Sequence, residues 1–411
     1  IDILSVVFIV LIVLRPFYYY NVGFTLSFIV TIGLLLTQDY IAKFKGLSQL
    51  FIIGFIAMII TIPIVINLNY RINLLSLVFN VLFILYMTYI ILPSSYITFI
   101  FPFLDIINNV FITMYNRLIY SMSTIDILII KGSFVTMYEI MLYYILIMYL
   151  ANNKTHYKKR ISLFIVFIFV VLTMLNSNFL DPSKRIVFID VKGDATLITD
   201  SYSKCNILID TGDIDEYDSV LKYLNSRNIK KLDYIIISHF HMDHYGEYED
   251  LKQDIRVVNT INKFNIETYQ GHLFKCGSIE LYIYPLTYDD DNENNNSIML
   301  SVIIDDKHFL FTGDSEIERE LEFAELYKPD VDYLKIAHHG SNTSSSEKFL
   351  DLVKPNAAFI IVKRHNIHKH PNDIVIRRLQ DRNIDIYRTD ELGSIEIVYL
   401  FNKEIKKFHT P

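Results

Sequence analysis

The chain has 411 residues, 52% of them hydrophobic, with a formal net charge of −7 and only two cysteines. That length calls for two or more domains, and that hydrophobic content excludes an intrinsically disordered chain. The charge is divided: residues 1–176 hold 10 Lys and Arg against 5 Asp and Glu, a net of +5, while the remainder holds 28 against 40, a net of −12, which excludes a broad phosphate-binding surface on the second part.

The first part is a series of apolar runs, at 3–14, 22–37, 50–66, 72–92, 96–119, 127–151 and 161–176, separated by short polar breaks. Several come near the ~20 residues that a helix needs to cross a hydrocarbon core, and others, 3–14 above all, are shorter. They predict a polytopic α-helical membrane domain of about seven helices over 1–176, with 177–185 as a linker. The run 96–119 is the least regular, because it carries Pro102, Asp105, Asn108 and Asn109. If all seven runs cross, Lys43, Lys45, Lys154, Lys158, Lys159 and Arg160 share one side, and Arg15, Arg71 and Arg117 the other. The positive-inside tendency then makes the first side cytoplasmic and carries the following domain outside the membrane. Asp105, Asn108, Asn109, Asp126, Lys131 and Glu139 are polar residues in apolar surroundings. They are candidates for lining a conduit; for Asp126 and Lys131, snorkelling or helix capping near a membrane surface is the alternative. The chain begins at Ile1 without the layout of a signal peptide, and an N-terminally truncated chain is expected.

The second domain, 186–411, opens with strand-like segments at 186–190, 195–200 and 205–212, then a helix over 214–228. Cys205 and Cys276 match no zinc spacing and read as buried small apolar side chains. A disulfide is the alternative, and it requires the domain to face an oxidising side.

The apolar strand Tyr234 to Ile237 leads into His239, His241, Asp243 and His244. Three of the chain's twelve histidines thus fall within six positions, beside a carboxylate. Alternate residues of an extended segment point the same way, so His239 and His241 can reach one metal. The bend into a helix swings Asp243 and His244 towards a second position. Imidazole and carboxylate donors suit zinc, manganese or iron. Further strands are expected at 279–284, 298–304 and 307–311, with an acidic, Asn-rich loop at 288–296.

Asp314 ends the apolar run HFLFTGD, where a carboxylate can bridge two metals. Capping a helix that starts at Ser315 is its alternative role. The strand in VDYLKIAHHGS likewise ends in His338 and His339. The run Ser344-Ser345-Ser346 opens another helix, closed by Lys354-Pro355. In KRHNIHKHP, His365, His368 and His370 fall in one loop. His370 is the best candidate there, against a solvated basic loop. Lys354, Lys363, Arg364, Lys369, Arg377 and Arg378 are either a local patch for an anionic partner or ordinary surface charge.

SHFHMDHYG, FTGD and AHHGS resemble the metallo-β-lactamase superfamily. FIDVKGDATLI, NILIDTG, LKIAHHGSNTSSSEKFL and YRTDELGSIEI, with RPFYYYNVGFTLSFIVTIGLLL in the first part, are similar to the ComEC family of DNA-uptake proteins. The resemblance implies a four-layer αββα hydrolase-like domain. It implies two divalent metals, manganese or zinc: His239 and His241 on the first, Asp243, His244 and His339 on the second, Asp314 bridging. Catalytic roles would fall to Asp243, His338 and His370, and substrate contacts to Ser341, Asn296 and Lys369. The superfamily often adds a third histidine to the first metal. Here His272 is in a setting that does not match and the corresponding stretch is Asn294–Ser297, so the first metal is expected to be weak. The family usually reads DVGQGDA where one residue is missing near Lys192.

The implied function is DNA uptake through the plasma membrane of a bacterium, with an extracellular nuclease domain degrading the strand that does not enter. Single- and double-stranded DNA, membrane lipid, other uptake proteins and a homo-oligomer are the implied partners. A DNA channel with a vestigial hydrolase, or a cell-surface phosphodiesterase acting on wall polymers or phosphocholine, are the alternatives.

Overall fold

The computed structural model describes residues 2–123, 125, 128–151, 157–175, 178, 181–285, 291–401 and 403–409. Two compact units are present, Ile1–Ser177 and Asn178–Pro411.

The first unit is helical: α1 (Asp2–Leu14), α2 (Val22–Leu36), α3 (Leu47–Asn69), α4 (Ser76–Ile100), α5 (Asp105–Ser123), α6 (Met137–Ala151) and α7 (Tyr157–Leu175). Among the described residues only α3 and α4, of 23 and 25 residues, are long and apolar enough to cross a membrane. Four other helices carry shorter apolar stretches. Three expected runs are therefore redrawn. α4 continues past residue 92: Pro93 directly follows a π-helical turn at Met87–Ile91, which locally shifts the hydrogen-bond ladder, and helix resumes over Leu92–Ile100. The break falls instead at Phe101-Pro102. The run 127–151 is part strand: β2 (Ile129–Lys131) pairs antiparallel with β1 (Arg71–Asn73), and helix begins only at Met137. Apolar content alone does not separate the two.

Pro63 lies inside α3 and cannot donate to the carbonyl of Ile59. The hydroxyl of Tyr143 on α6 donates to that carbonyl at 2.6 Å, and Tyr144 donates to Ile60 O at 2.9 Å. Asn67 closes the same contact, exchanging two hydrogen bonds with the backbone of Val135 at 2.7 and 2.9 Å. Backbone polar groups in an apolar setting are thus satisfied by side chains of the neighbouring helix.

The second unit holds two seven-stranded sheets. The first contains β3 (Lys184–Phe188), β4 (Thr196–Thr199), β5 (Asn206–Ile209), β6 (Lys231–Ile236), β7 (Arg256–Ile261), β15 (Ser394–Leu400) and β16 (Lys403–His409), in the order 16-15-3-4-5-6-7. The second contains β8 (Leu273–Cys276), β9 (Ile279–Ile283), β10 (Leu300–Ile304), β11 (Lys307–Phe311), β12 (Tyr333–Lys335), β13 (Ala357–Ile360) and β14 (Asp385–Arg388), in the order 14-13-12-11-10-9-8. Strands β5 to β7 run parallel, as do β11 to β14.

Period-two alternation assigns the faces. Ala357 and Phe359 of β13 enter the core between the sheets, where Phe359 stacks on Phe188 of β3 with ring centroids 4.4 Å apart. Ala358 and Ile360 point the other way, into a second core with Phe323 of α11 (Ile317–Tyr327), Phe349 of α12 (Glu347–Val353) and Val375 of α13 (Asp373–Gln380). Val220 and Leu224 of α8 (Tyr217–Ser226) and Leu251 of α10 (Tyr248–Asp254), which follows the short α9 (Met242–Tyr245), cover the first sheet. The result is the four-layer αββα arrangement.

Cys205, just before β5, and Cys276, ending β8, form a disulfide, which corrects the reading of two separate apolar side chains. Their 71-residue separation concealed that their Cα atoms stand 5.5 Å apart, across the two sheets. Asp200 reinforces the tie, accepting from Ser278 N at 2.8 Å and Ser278 Oγ at 2.7 Å.

Candidate metal centre

The ends of parallel strands gather the polar residues. Asp210 follows β5, Ser238 and His239 follow β6, Asp314 follows β11, and His338 and His339 follow β12. Crevices at the carboxyl ends of parallel strands are the usual ligand sites of such sheets.

Four ligand atoms converge, from Asp243, His244, Asp314 and His339, all within 4.8 Å of one another. Nε2 of His339 stands 3.3 Å from Asp243 Oδ2 and 3.6 Å from Asp314 Oδ2. Nε2 of His244 is 3.2 Å from Asp314 Oδ2 and 4.0 Å from Asp243 Oδ2, without hydrogen-bond geometry to either. Each imidazole is oriented from behind. Nδ1 of His244 lies 2.9 Å from Asp210 Oδ2, and Nδ1 of His339 lies 3.1 Å from Ile361 O and 3.4 Å from Asp194 Oδ1. Carboxylate or carbonyl partners of this kind fix the tautomer of a metal-binding histidine. Ser238 holds Asp210 in turn, through N–H and Oγ–H bonds of 2.7 Å each.

Gly193 makes the approach of Asp194 feasible. Its φ is +84°, and a Cβ there would fall 1.8 Å from the carbonyl oxygen of Asp243. Asp194 N–H donates to that same oxygen at 3.0 Å. Asp314 is no helix cap: α11 starts at Ile317, with Glu316 in the cap position.

Electrostatics follow the geometry. Burial would raise Asp314, but His244 and His339 hold it well below the usual carboxylate range. Burial would likewise raise Asp243, but its hydrogen bond to His339 and the charge of His244 hold it down. Burial would lower His339, yet Asp314 and Asp194 raise it to about 10. For His239 burial, and then the neighbouring His244, outweigh the pull of Asp314, and its pKa falls to about 3. Burial, then His339 and His338, bring His370 to about 4, and burial also lowers His338. The converging set is thus strongly anionic in its carboxylates, and Nε2 of His239 and Nε2 of His244 are buried without a hydrogen-bond partner. Such donors fit a divalent cation.

The remaining site candidates are placed as follows. His239 is fully buried, its ring 4.1 Å from that of His244, while His241 is exposed, its ring 4.8 Å from that of His239. Among the described residues these two form no cluster with a third donor. His272 is exposed and bonded to Gln270 O. Asn296 is buried and donates to Glu293 Oε2 at 3.2 Å, while Glu293 also accepts from Phe240 N. The His338 and His370 rings are 5.9 Å apart. Ser341 is buried in the turn after His339, its Oγ 3.0 Å from Thr343 Oγ1. Lys369 is exposed. Of the basic residues, Lys363 pairs with Glu216 at 3.2 Å and Arg378 donates to Ser344 O at 3.0 Å, so both have structural tasks. In the first unit, Asp105 accepts from Asn109 at 2.9 Å, Asn108 accepts from Ser94 at 2.8 Å, and Glu139 accepts from Thr136 N at 2.8 Å at the start of α6. Asp126 and Lys154 lie outside the described residues.

Asp194, Asp210 and Lys335 escaped the sequence reading. Asp210 carried the same signal as Asp314, a carboxylate directly after a short apolar strand. Lys335 is a charged residue in the middle of the apolar run YLKIA.

A family model of competence proteins matches residues 1–156, and one of the metallo-β-lactamase superfamily matches 189–296. ComE operon protein 3 of Bacillus subtilis is 26% identical over 95% of this chain and 57% of its own length. Competence protein ComA of Neisseria gonorrhoeae is 27% identical over 46% of this chain and 29% of its own length. The chain thus spans about half or less of the length of these relatives. A solved structure, the metallo-β-lactamase fold protein YhfI of Bacillus subtilis, covers 51% of this chain and 96% of its own at 12% identity, with a TM-score of 0.35. The chain joins a competence-protein domain to a metallo-β-lactamase superfamily domain and is homologous, over most of its length, to the ComEC family of competence proteins.

Proposed function

We propose that this chain takes part in DNA uptake during natural transformation. In this reading 1–176 is a multi-pass domain of the bacterial plasma membrane, 177–185 a linker, and 186–411 an extracellular metal-dependent phosphodiesterase that degrades the strand left outside. The homology to competence proteins supports the first part. The convergence of Asp243, His244, Asp314 and His339, each imidazole backed by a buried acceptor, is the observation that carries the second. The Cys205–Cys276 disulfide supports an oxidising location.

The converging four would hold one manganese or zinc ion tightly. His239 and His241, lacking a third donor, would hold a second ion weakly. When bound, a divalent cation supplies Lewis-acid polarisation of a phosphoryl oxygen and a more acidic water. Asp243 would orient the attacking water. His338 and His370, kept neutral by burial, would position the phosphodiester, with Asn296, Ser341 and Lys369 as weaker candidates.

For the conduit, a cavity of about 850 Å³ in the first unit has more to offer than Asp105, Asn108, Asn109 and Glu139, which serve one another, Ser94 or the backbone. Thr61, Asn69, Arg71, Ser76, Asn80 and Tyr115 are among its lining residues. Polar side chains around a cavity between apolar helices are where a hydrated strand would pass. A nuclease assay on residues 178–411 with manganese tests the enzymatic part. Manganese-dependent cleavage of single-stranded DNA is expected, and no cleavage with metal demonstrably bound would reject it.

A further inference from the structure

Lys335 ends β12 with its side chain directed between the sheets, and it is 3% exposed. Its ammonium donates to Oδ2 of Asp194, stands 3.8 Å from Oδ1 of Asp314, and is 3.5 Å from Gly313 O. Asp194 is the carboxylate behind His339, and Asp314 is the carboxylate between His339 and His244. One side chain therefore touches the orienting layer and the ligand layer at once. Four carboxylates, of Asp194, Asp210, Asp243 and Asp314, surround two imidazoles here. Solvent cannot compensate them from behind, because the adjoining cavity, lined by Asp194, Asp210, Ser238 and Lys335 among others, is about 10 Å³ and takes one water molecule at most. Removing one partner of a buried ion pair is strongly destabilising, since the other charge is left uncompensated.

We propose that Lys335 is a built-in counter-cation that keeps Asp194 and Asp314 in ligand-ready positions while no metal is bound. It is a positioning residue, and this role rests on the metal-site reading given above. A divalent cation between Asp314, Asp243 and the two imidazoles would relieve the same repulsion. The ammonium and the metal are therefore partly redundant in holding the site together, and a residue that served packing alone would not be.

Hydrogen-exchange mass spectrometry on the full chain in detergent tests this, reading peptides that span 233–246 and 311–341 in EDTA and in manganese. Wild type is expected to be protected in EDTA and to gain little from manganese. K335M is expected to exchange on the order of a hundredfold faster in EDTA, and manganese should restore most of the protection. K335R should stay protected without metal. D194N/K335M, which removes both charges of the pair, should recover protection in EDTA even if K335M alone folds poorly. Equal protection of K335M and wild type in EDTA overturns the proposal. So does a loss that neither manganese nor D194N repairs. Manganese binding to the wild-type chain, measured separately, judges the metal reading itself, while the EDTA comparison with D194N/K335M decides the role of Lys335 without it.

Discussion

Asp210 is not one of the four converging ligands, yet it sets one of them. Its Oδ2 accepts from both Ser238 Oγ and His244 Nδ1, leaving Nε2 of His244 for the metal side. D210N should lower metal affinity about 10–100-fold while leaving the fold in place, measured by metal titration of residues 178–411. A second residue makes a pH prediction away from the site. Glu320 is fully buried on α11, accepts from Ser345 N at 2.5 Å, and burial lifts its pKa from 4.5 to about 8. Between these values the folded state keeps a proton that the unfolded state has released, so this contribution is full below pH 4.5 and is lost as pH rises through about 8. Melting temperature should fall across that window in wild type, and E320Q should flatten the fall; an unchanged slope in E320Q would refute the assignment. At this scale the sequence was legible where a ligand-type residue ended an apolar strand, as at Asp314 and His339. It was not legible where the partner was a lysine or a lone carboxylate, because neither carries a spacing pattern.

Elements were readable where apolar residues run together or a cap marks an end. β10 and β11 are short, mostly buried apolar runs, and the run Ser344-Ser345-Ser346 did mark a helix start: Ser346 caps α12, accepting from Phe349 N at 3.2 Å. β16, KEIKKFH, was missed because its lysines make an edge strand look like solvated chain. β8, LFKC, was missed because Lys275 interrupts it and only Cys276 of its four residues is buried. In the first unit the apolar runs gave the helices but not their ends, since a strand such as β2 is as apolar as its neighbours. Two predictions belong here. The disulfide between β5 and β8 ties the two sheets, so C205S should cost about 2–4 kcal/mol in urea unfolding of residues 178–411, and non-reducing electrophoresis should show the faster-migrating form only in wild type. Tyr143 replaces the donor that Pro63 lacks, so Y143F should cost about 1–3 kcal/mol in detergent unfolding, and less in a P63A background, where the restored backbone N–H can serve Ile59 O. Equal costs in the two backgrounds would remove the explanation.

At the level of the molecule, an apolar unit of net positive charge is joined to an acidic unit with its own two-sheet core. Domain type was readable because that contrast of composition is large. The acidic balance also bears on the proposed mechanism: Lys363 and Arg378 are committed to Glu216 and to backbone carbonyls, so in this reading a bound cation would carry much of the attraction for a polyanion. That makes the metal the centre of the whole reading. The most direct measurement is the metal content of the purified full chain, wild type against D314A, after dialysis without chelator. About one equivalent of manganese or zinc should remain in wild type and almost none in D314A. Equal metal in both, or none in wild type after incubation with either ion, would contradict the reading.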